Sequence, residues 1–418
     1  MNINKWTLGL VAAGVVSLGS VAQAEEASEH LMTAVSGTQI SGYVSTSAQW
    51  MIGTGRPAAA NAHPGRSFTD NSQKLDGFNL DVIDLTISKS LDEGEWAAGY
   101  KAEIWFGPDA NTFGANSAVA PPLNATDMAI RQAYVELRTP VGNGLDFKLG
   151  VFDTIIGYEV SNHDSNPNFG RSFGYAIEPT SHTGVLASYQ VADFLSISAG
   201  VANNGVNSNQ INARQPVESD KSYMVAFVLT APEDMGFLAG ATLSAGVVDT
   251  TISGTGALGN NSDMMNYYVG AAIPLPIEGW SVGASYDYRG QSADDFGLAA
   301  NYANAVALYL SAGVTEKLKL NVRADYATGT AGTWYPVPAA VLSTDDDRNS
   351  KLFSLTTTVD YSLWENVISR LEFRWDTALT GGDAGLAGGN LNNPFGGGAA
   401  TDGDKNAFTV ALNLIYKF

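Results

Sequence analysis

Between Phe408 and Phe418 every second residue is apolar or aromatic (Phe408, Val410, Leu412, Leu414, Tyr416, Phe418), with Thr409, Asn413 and Lys417 between them. Period two marks a β-strand whose faces meet different surroundings. The pattern recurs. Trp96, Ala98, Tyr100, Ala102, Ile104 and Phe106 flank Lys101 and Glu103, and Trp280, Val282, Ala284, Tyr286 and Tyr288 alternate with Ser281, Ser285, Asp287 and Arg289. Leu318, Leu320, Val322, Ala324 and Tyr326 alternate with Lys319, Asn321, Arg323 and Asp325; Val367, Leu371, Phe373 and Trp375 alternate with Arg370, Glu372, Arg374 and Asp376. A dry sandwich core does not tolerate unpaired charge at mid-strand. A water-filled interior and a lipid-facing exterior accommodate both faces at once. The sequence therefore predicts an all-β fold: a transmembrane antiparallel up-and-down β-barrel.

Sixteen segments carry the pattern: 38–50, 78–91, 95–106, 128–138, 144–153, 180–191, 194–203, 222–231, 237–248, 264–274, 279–289, 303–313, 317–327, 351–363, 366–377 and 406–418. Connections alternate between short and long, as in a meander with short turns at the periplasmic rim and long loops outside. Alternation breaks at 78–91, where Leu80 and Val82 share one face and Leu85 and Ile87 the other; a bulge near Asp84 reconciles them. Segments 54–71 and 381–403 read as loops from their glycine and polar content.

Charged residues make up 15% of the 418-residue chain, against roughly 25% in soluble proteins. Such a chain needs surroundings in which apolar surface stays exposed. The start of the chain supplies them. Lys5, an apolar run from Leu8 to Val16 and the small-x-small Ala22-Gln23-Ala24 form a secretory signal peptide over 1–24, its apolar part shorter than the roughly 20 residues of a membrane helix. Residues 25–37 follow as a periplasmic N-terminal segment, and 38–418 as the outer-membrane barrel. Cleavage removes Lys5 and moves the formal net charge of −20 to −21, which opposes a nucleic-acid partner. The absence of cysteine excludes disulfides, thiolate metal sites and a cysteine nucleophile.

The stretch Leu145-Asp146-Phe147-Lys148-Leu149-Gly150-Val151-Phe152-Asp153-Thr154-Ile155-Ile156-Gly157-Tyr158-Glu159, with Asn168-Phe169-Gly170-Arg171-Ser172, His182-Thr183-Gly184-Val185 and the preceding Arg131-Gln132-Ala133-Tyr134-Val135-Glu136-Leu137, resembles the putative beta-barrel porin-2 family. The resemblance is specific over about 128–189 and covers the mature chain in layout. It implies a bacterial outer-membrane porin and allows a homotrimer. Val151 stands where the family usually has a basic residue, which implies a change in local lumen charge with the fold intact.

No catalytic constellation is legible. His163-Asp164-Ser165 are adjacent and cannot adopt triad geometry, and His182 reads as a hydrogen-bonding residue at the rim. No cofactor or metal is expected: the acid run Asp345, Asp346 and Asp347 lacks EF-hand spacing and reads as solvated vestibule acids. The expected function is a non-enzymatic, water-filled channel for passive diffusion of small hydrophilic solutes and ions, modestly cation-selective. Its surroundings are outer-membrane lipid. Loop 154–179, with Glu159, Asp164 and Arg171, is the expected constriction, faced by Arg131, Arg323, Arg370 and Arg374 on the wall. Those arginines could instead pair laterally with Glu136, Asp325, Glu372 and Asp376. The alternative function is a plugged structural or partner-binding barrel, such as a sheath for a periplasmic electron carrier.

Overall fold

A computed structural model describes residues 37–53, 68–69, 74, 76–113, 127–203, 211–212, 220–253, 261–293, 300–330, 333–334, 349–379 and 405–418. The expected signal peptide, nearly all of the 25–37 segment and the vestibule acids Asp345, Asp346 and Asp347 lie outside the described residues.

Sixteen antiparallel strands form one closed barrel, each pairing with its neighbours in sequence. They are β1 (Gln39–Ile52), β2 (Gly77–Lys89), β3 (Ala97–Phe106), β4 (Met128–Thr139), β5 (Leu145–Asp153), β6 (Ser181–Ala192), β7 (Leu195–Ala202), β8 (Ser222–Thr230), β9 (Thr242–Ser253), β10 (Asn261–Pro274), β11 (Trp280–Gln291), β12 (Asn301–Gly313), β13 (Leu318–Gly329), β14 (Ser350–Tyr361), β15 (Val367–Ala378) and β16 (Asn406–Lys417). Two short helices, α1 (Pro108–Phe113) and α2 (Phe173–Ile177), lie in connections on the long-loop side. β1 closes on β16 with Tyr43 opposite Lys417. Gly42 and Phe418 exchange both backbone hydrogen bonds at 3.0 Å, so the terminal residue takes part in closure and no sheet edge stays open.

The strands stand where alternation predicts, within a few residues. The exception is β9, which begins at Thr242 because Glu233–Leu238 forms 3₁₀ turns rather than strand. The bulge in β2 falls at Asp81, not at Asp84: Ser45 pairs with Val82 and Thr46 with Leu80, leaving Asp81 unopposed. Asp81 and Val82 then both point inward, and Leu80 and Ile83 outward. A second bulge leaves Arg131 unopposed between Gln132 and Ile130. Both bulged residues carry charge and are re-aimed into the lumen. At the β4–β5 pairing Gly150 adopts φ +136°, and a Cβ there would stand 2.2 Å from the Ala133 carbonyl oxygen; only glycine fits.

Outward positions are apolar and exposed, such as Leu412, Leu414, Leu371, Phe373, Val306 and Leu308. Inward positions beside them are polar or small, such as Asn413, Thr409, Glu372, Arg374 and Ala305. Aromatic residues collect toward both rims: Trp96, Phe237 and Trp364 by the short turns, and Trp50 with Phe78 or Tyr267 with Tyr288 by the long loops. These are the interfacial girdles of a membrane barrel. Leu412→Arg, which places charge on the lipid face, is expected to cost about 2–4 kcal/mol. Inward Thr409→Ser on the same strand should be nearly neutral. Urea unfolding in lipid vesicles checks both.

Candidate functional site: a loop stitched across the lumen

Residues 154–180, between β5 and β6, fold inside the barrel and reach the wall opposite their own strands. Apolar side chains seat the loop. Phe173 and Ile177 of α2 pack on Leu352 and on Ala303, Ala305, Ala327, Ala378 and Ala407, five small residues that leave room for a helix. Ile155 and Ile156 pack on Leu186, Ala226 and Val248. Polar contacts then fix its path. Glu159 accepts from Arg323 Nη1 at 2.7 Å through Oε1 and from the Ser172 amide at 2.6 Å through Oε2. Arg323 also donates to Asp325 at 2.7 Å, to the Gly170 carbonyl at 2.7 Å and to the Arg171 carbonyl at 2.9 Å. Arg374 reaches the same Arg171 carbonyl at 2.7 Å and holds Asp376 at 3.0 Å. Arg370 donates to the His163 carbonyl at 2.8 Å and the Asn166 carbonyl at 2.7 Å. Asp164 meets Lys417 at 3.0 Å.

Each expected constriction residue that is described thus lies on the loop or on the wall beneath it. Arg323 and Arg374 combine both expected geometries, gripping the loop and pairing laterally with Asp325 and Asp376, whereas Arg370 grips the loop and meets Asp360 at 3.5 Å instead of Glu372. Arg131 differs. It pairs with Asp153 rather than Glu136, through both Nη atoms, and donates to Asn162 at 3.3 Å. Its guanidinium lies 4.7 Å from the Phe113 ring centroid. Arg171 turns back into its own loop, donating to the carbonyls of Val160, Phe169 and Ser161 at 2.9, 2.8 and 2.7 Å. It lies 5.2 Å from the Phe68 ring centroid and 5.8 Å from that of Tyr175, and it is 1% exposed. Burial lowers its pKa.

Sequence reasoning did not assign three further groups to the site. Glu372 accepts from the Phe169 and Gly170 amides at 2.6 and 2.8 Å and from Thr358 at 2.8 Å. A Cβ on Gly170 would stand 2.9 Å from its carboxylate. Lys74, in the connection between β1 and β2, joins the bulged Asp81 at 2.9 Å to Asp109 of α1 at 2.8 Å. The His163 ring stands 2.9 Å from the same Asp109. The expected rim role of His182 is met by its contact with Thr154 at 3.2 Å. Arg131, Asp153, Glu159, Ser161, Tyr175 and Glu178 line a small cleft beside the loop.

The Lys74 cluster carries a pH dependence. Burial pushes the Asp109 carboxyl from 3.8 up to about 6, against the pull of Lys74 and Arg171. Between those values the folded state keeps a proton that the unfolded chain has released. Stability from this group therefore rises as pH falls through the window and is lost as Asp109 ionises, by at most about 1.4 kcal/mol per pH unit. Burial, with Arg171 and Lys74, holds His163 well below its ordinary value. Asp109→Asn should flatten the pH 4–6 slope in thermal melts.

Comparison with solved structures finds the same fold at low identity. DcaP, an outer membrane channel of Acinetobacter baumannii, is 14% identical, with TM-score 0.56 over 93% of this chain and 99% of that one. An anion-selective porin from Comamonas acidovorans is 13% identical, with TM-score 0.56 over 91% and 99%. The trimer form of OmpT, an outer membrane protein of Vibrio cholerae, is 15% identical, with TM-score 0.54 over 91% and 99%. Comparison with curated protein sequences finds no match. Residues 37–418 match the family described as Putative beta-barrel porin-2, OmpL-like. That match spans every strand of the barrel and the loop within it, and the chain belongs to this family of porin-like outer-membrane barrels.

Proposed function

We propose that this protein is an outer-membrane channel through which small hydrophilic solutes and ions diffuse passively, narrowed where the 154–180 loop crosses the lumen. The observation that carries the reading is the set of wall arginines, Arg323, Arg370 and Arg374, holding that loop against the far wall. A polar loop fixed within a barrel of this strand number narrows an aqueous path without the protein performing covalent chemistry. Solutes pass by size and by the field of the lining charges. Residues 1–24 serve as the export leader and 25–37 as a periplasmic segment.

Modest cation preference follows from the charge balance. The formal net charge is −20, and acids such as Asp345, Asp346 and Asp347 concentrate cations at the outer mouth. The fold does not fix the sign, since a structural neighbour is an anion-selective porin. Zero-current potentials across a planar bilayer under a KCl gradient test the proposal. The expected sign is that of K⁺ permeating faster, with a preference that shrinks as salt rises. Clear anion preference would reverse it. A homotrimer is the proposed assembly, supported by the trimer form of the Vibrio cholerae relative; crosslinking in mild detergent should yield a trimer band, and monomer alone would remove this part.

A further inference from the structure

Strands β11, β13 and β15 each place an arginine and an aspartate two residues apart on the inward face: Asp287 with Arg289, Arg323 with Asp325, and Arg374 with Asp376. Side chains at i and i+2 of a strand share a side, so each pair has the reach to close. Two are closed, at 2.7 Å for Arg323 and 3.0 Å for Arg374. The third is open. Arg289 has no ion pair or hydrogen bond among the described residues, and its Nε is buried without an acceptor. No acid faces it across the flanking strands. Its partner on β10 is Asn266, whose amide is donated to the Ile177 carbonyl at 2.9 Å, and its partner on β12 is Ala303. The inward residues next along those strands are Met264, Tyr268, Asn301 and Ala305, again without an acid.

The pair is open because Asp287 is committed to the loop. Its carboxyl neighbours that of Glu178, the residue that ends α2. It also lies against Gly174, where a Cβ would stand 2.2 Å from Oδ2. Two neighbouring carboxyl groups favour a proton on one of them. Burial, then the neighbouring Asp287 and Glu159, push the Glu178 carboxyl well above its ordinary range. Arg289, two residues nearer the long-loop rim, keeps its charge and its fork of donors unspent. Leaving a half-buried guanidinium without an acceptor is costly. A transient partner from solution would meet that cost.

We propose that Arg289 is an anion-binding station in the lumen, which takes the carboxylate or phosphate oxygens of a passing solute before it reaches the loop. The station rests on the channel reading above and makes Arg289 a specificity-determining residue. Planar (delocalised) geometry suits the guanidinium to two oxygens at once, which an ammonium does not match. Glu178 acts as its positioning residue. Once Glu178 no longer holds Asp287, that carboxylate closes on Arg289 as its counterparts do on β13 and β15.

Planar-bilayer recordings of the full barrel under a KCl gradient, repeated with inorganic phosphate or acetate added to the long-loop side, test the proposal. Arg289→Ala should raise the cation-to-anion permeability ratio several-fold and abolish current block by both anions. Arg289→Lys should keep the wild-type reversal potential but weaken the block. Glu178→Ala should mimic Arg289→Ala with the arginine still present, whereas Glu178→Gln, which offers Asp287 an amide donor, should behave as wild type. An Arg289→Ala channel that conducts with unchanged reversal potential and unchanged block would overturn the station and leave the channel standing. Absence of current from the folded wild-type barrel would overturn both.

Discussion

Arg323→Ala is expected to release the 154–180 loop from the wall while the sixteen strands stay closed. Its guanidinium joins Glu159, Asp325, Thr356 and the carbonyls of Gly170 and Arg171, and it is fully buried. Truncation strands two carboxylates, Glu159 and Asp325, in a site built around a cation. Breaking a buried pair from one side costs about 3–5 kcal/mol. Most of that loss falls on the loop, because every strand keeps its backbone ladder and only the loop loses its grip. Arg323→Lys should recover little, since one ammonium cannot serve acceptors that diverge around a planar fork. Trypsin acting on the folded protein provides the readout. Arg171 is buried in the wild type and should resist cleavage; in Arg323→Ala it should be cut. Wild-type resistance in the variant would show that the apolar seat of Phe173 and Ile177 holds the loop unaided.

Arg171→Ala should be nearly as damaging, for a different reason. The side chain acts within its own loop, closing the turn by donating to three carbonyls. Hydrogen bonds to a charged group contribute about 1.5–3 kcal/mol each, and the substitution takes the side-chain donor from the Phe169 and Ser161 carbonyls while that of Val160 keeps Asn166. It also empties the space between Phe68 and Tyr175. The expected outcome is faster amide exchange across 160–172, with noisier current, rather than a simple shift in ion selectivity. A shift in selectivity with unchanged exchange would make Arg171 a lining charge instead of an internal staple.

The barrel was legible because alternation is a local property. Leu412 and Asn413 declare their faces without knowledge of any other strand, and sixteen such segments with alternating connections leave few topologies. The β2 bulge was legible as a break in pattern, but its position was not: Asp81 is exceptional only relative to Ser45 and Thr46 across the ladder. The site was legible in its residue types and poorly legible in its pairings. Arg370 grips carbonyls of His163 and Asn166, 207 and 204 positions away; backbone acceptors carry no sequence signal. Glu372 reads as a lateral partner for an arginine, yet its oxygens take the amides of Phe169 and Gly170. Lys74 lies alone in a polar stretch and gains meaning only when Asp81 and Asp109 converge on it. Arg289 reads like any other inward arginine until Asp287 is found against Gly174 of the loop.

As proposed above, the loop narrows an open aqueous path rather than sealing it. Single-channel current through the refolded wild-type barrel in a planar bilayer, set beside Arg323→Ala, tests that most directly. The expected result is a steady, ohmic wild-type conductance and a larger, less steady one when the loop is released. A folded wild-type barrel that passes no current, with conduction appearing only in Arg323→Ala, would contradict it and identify the loop as a plug.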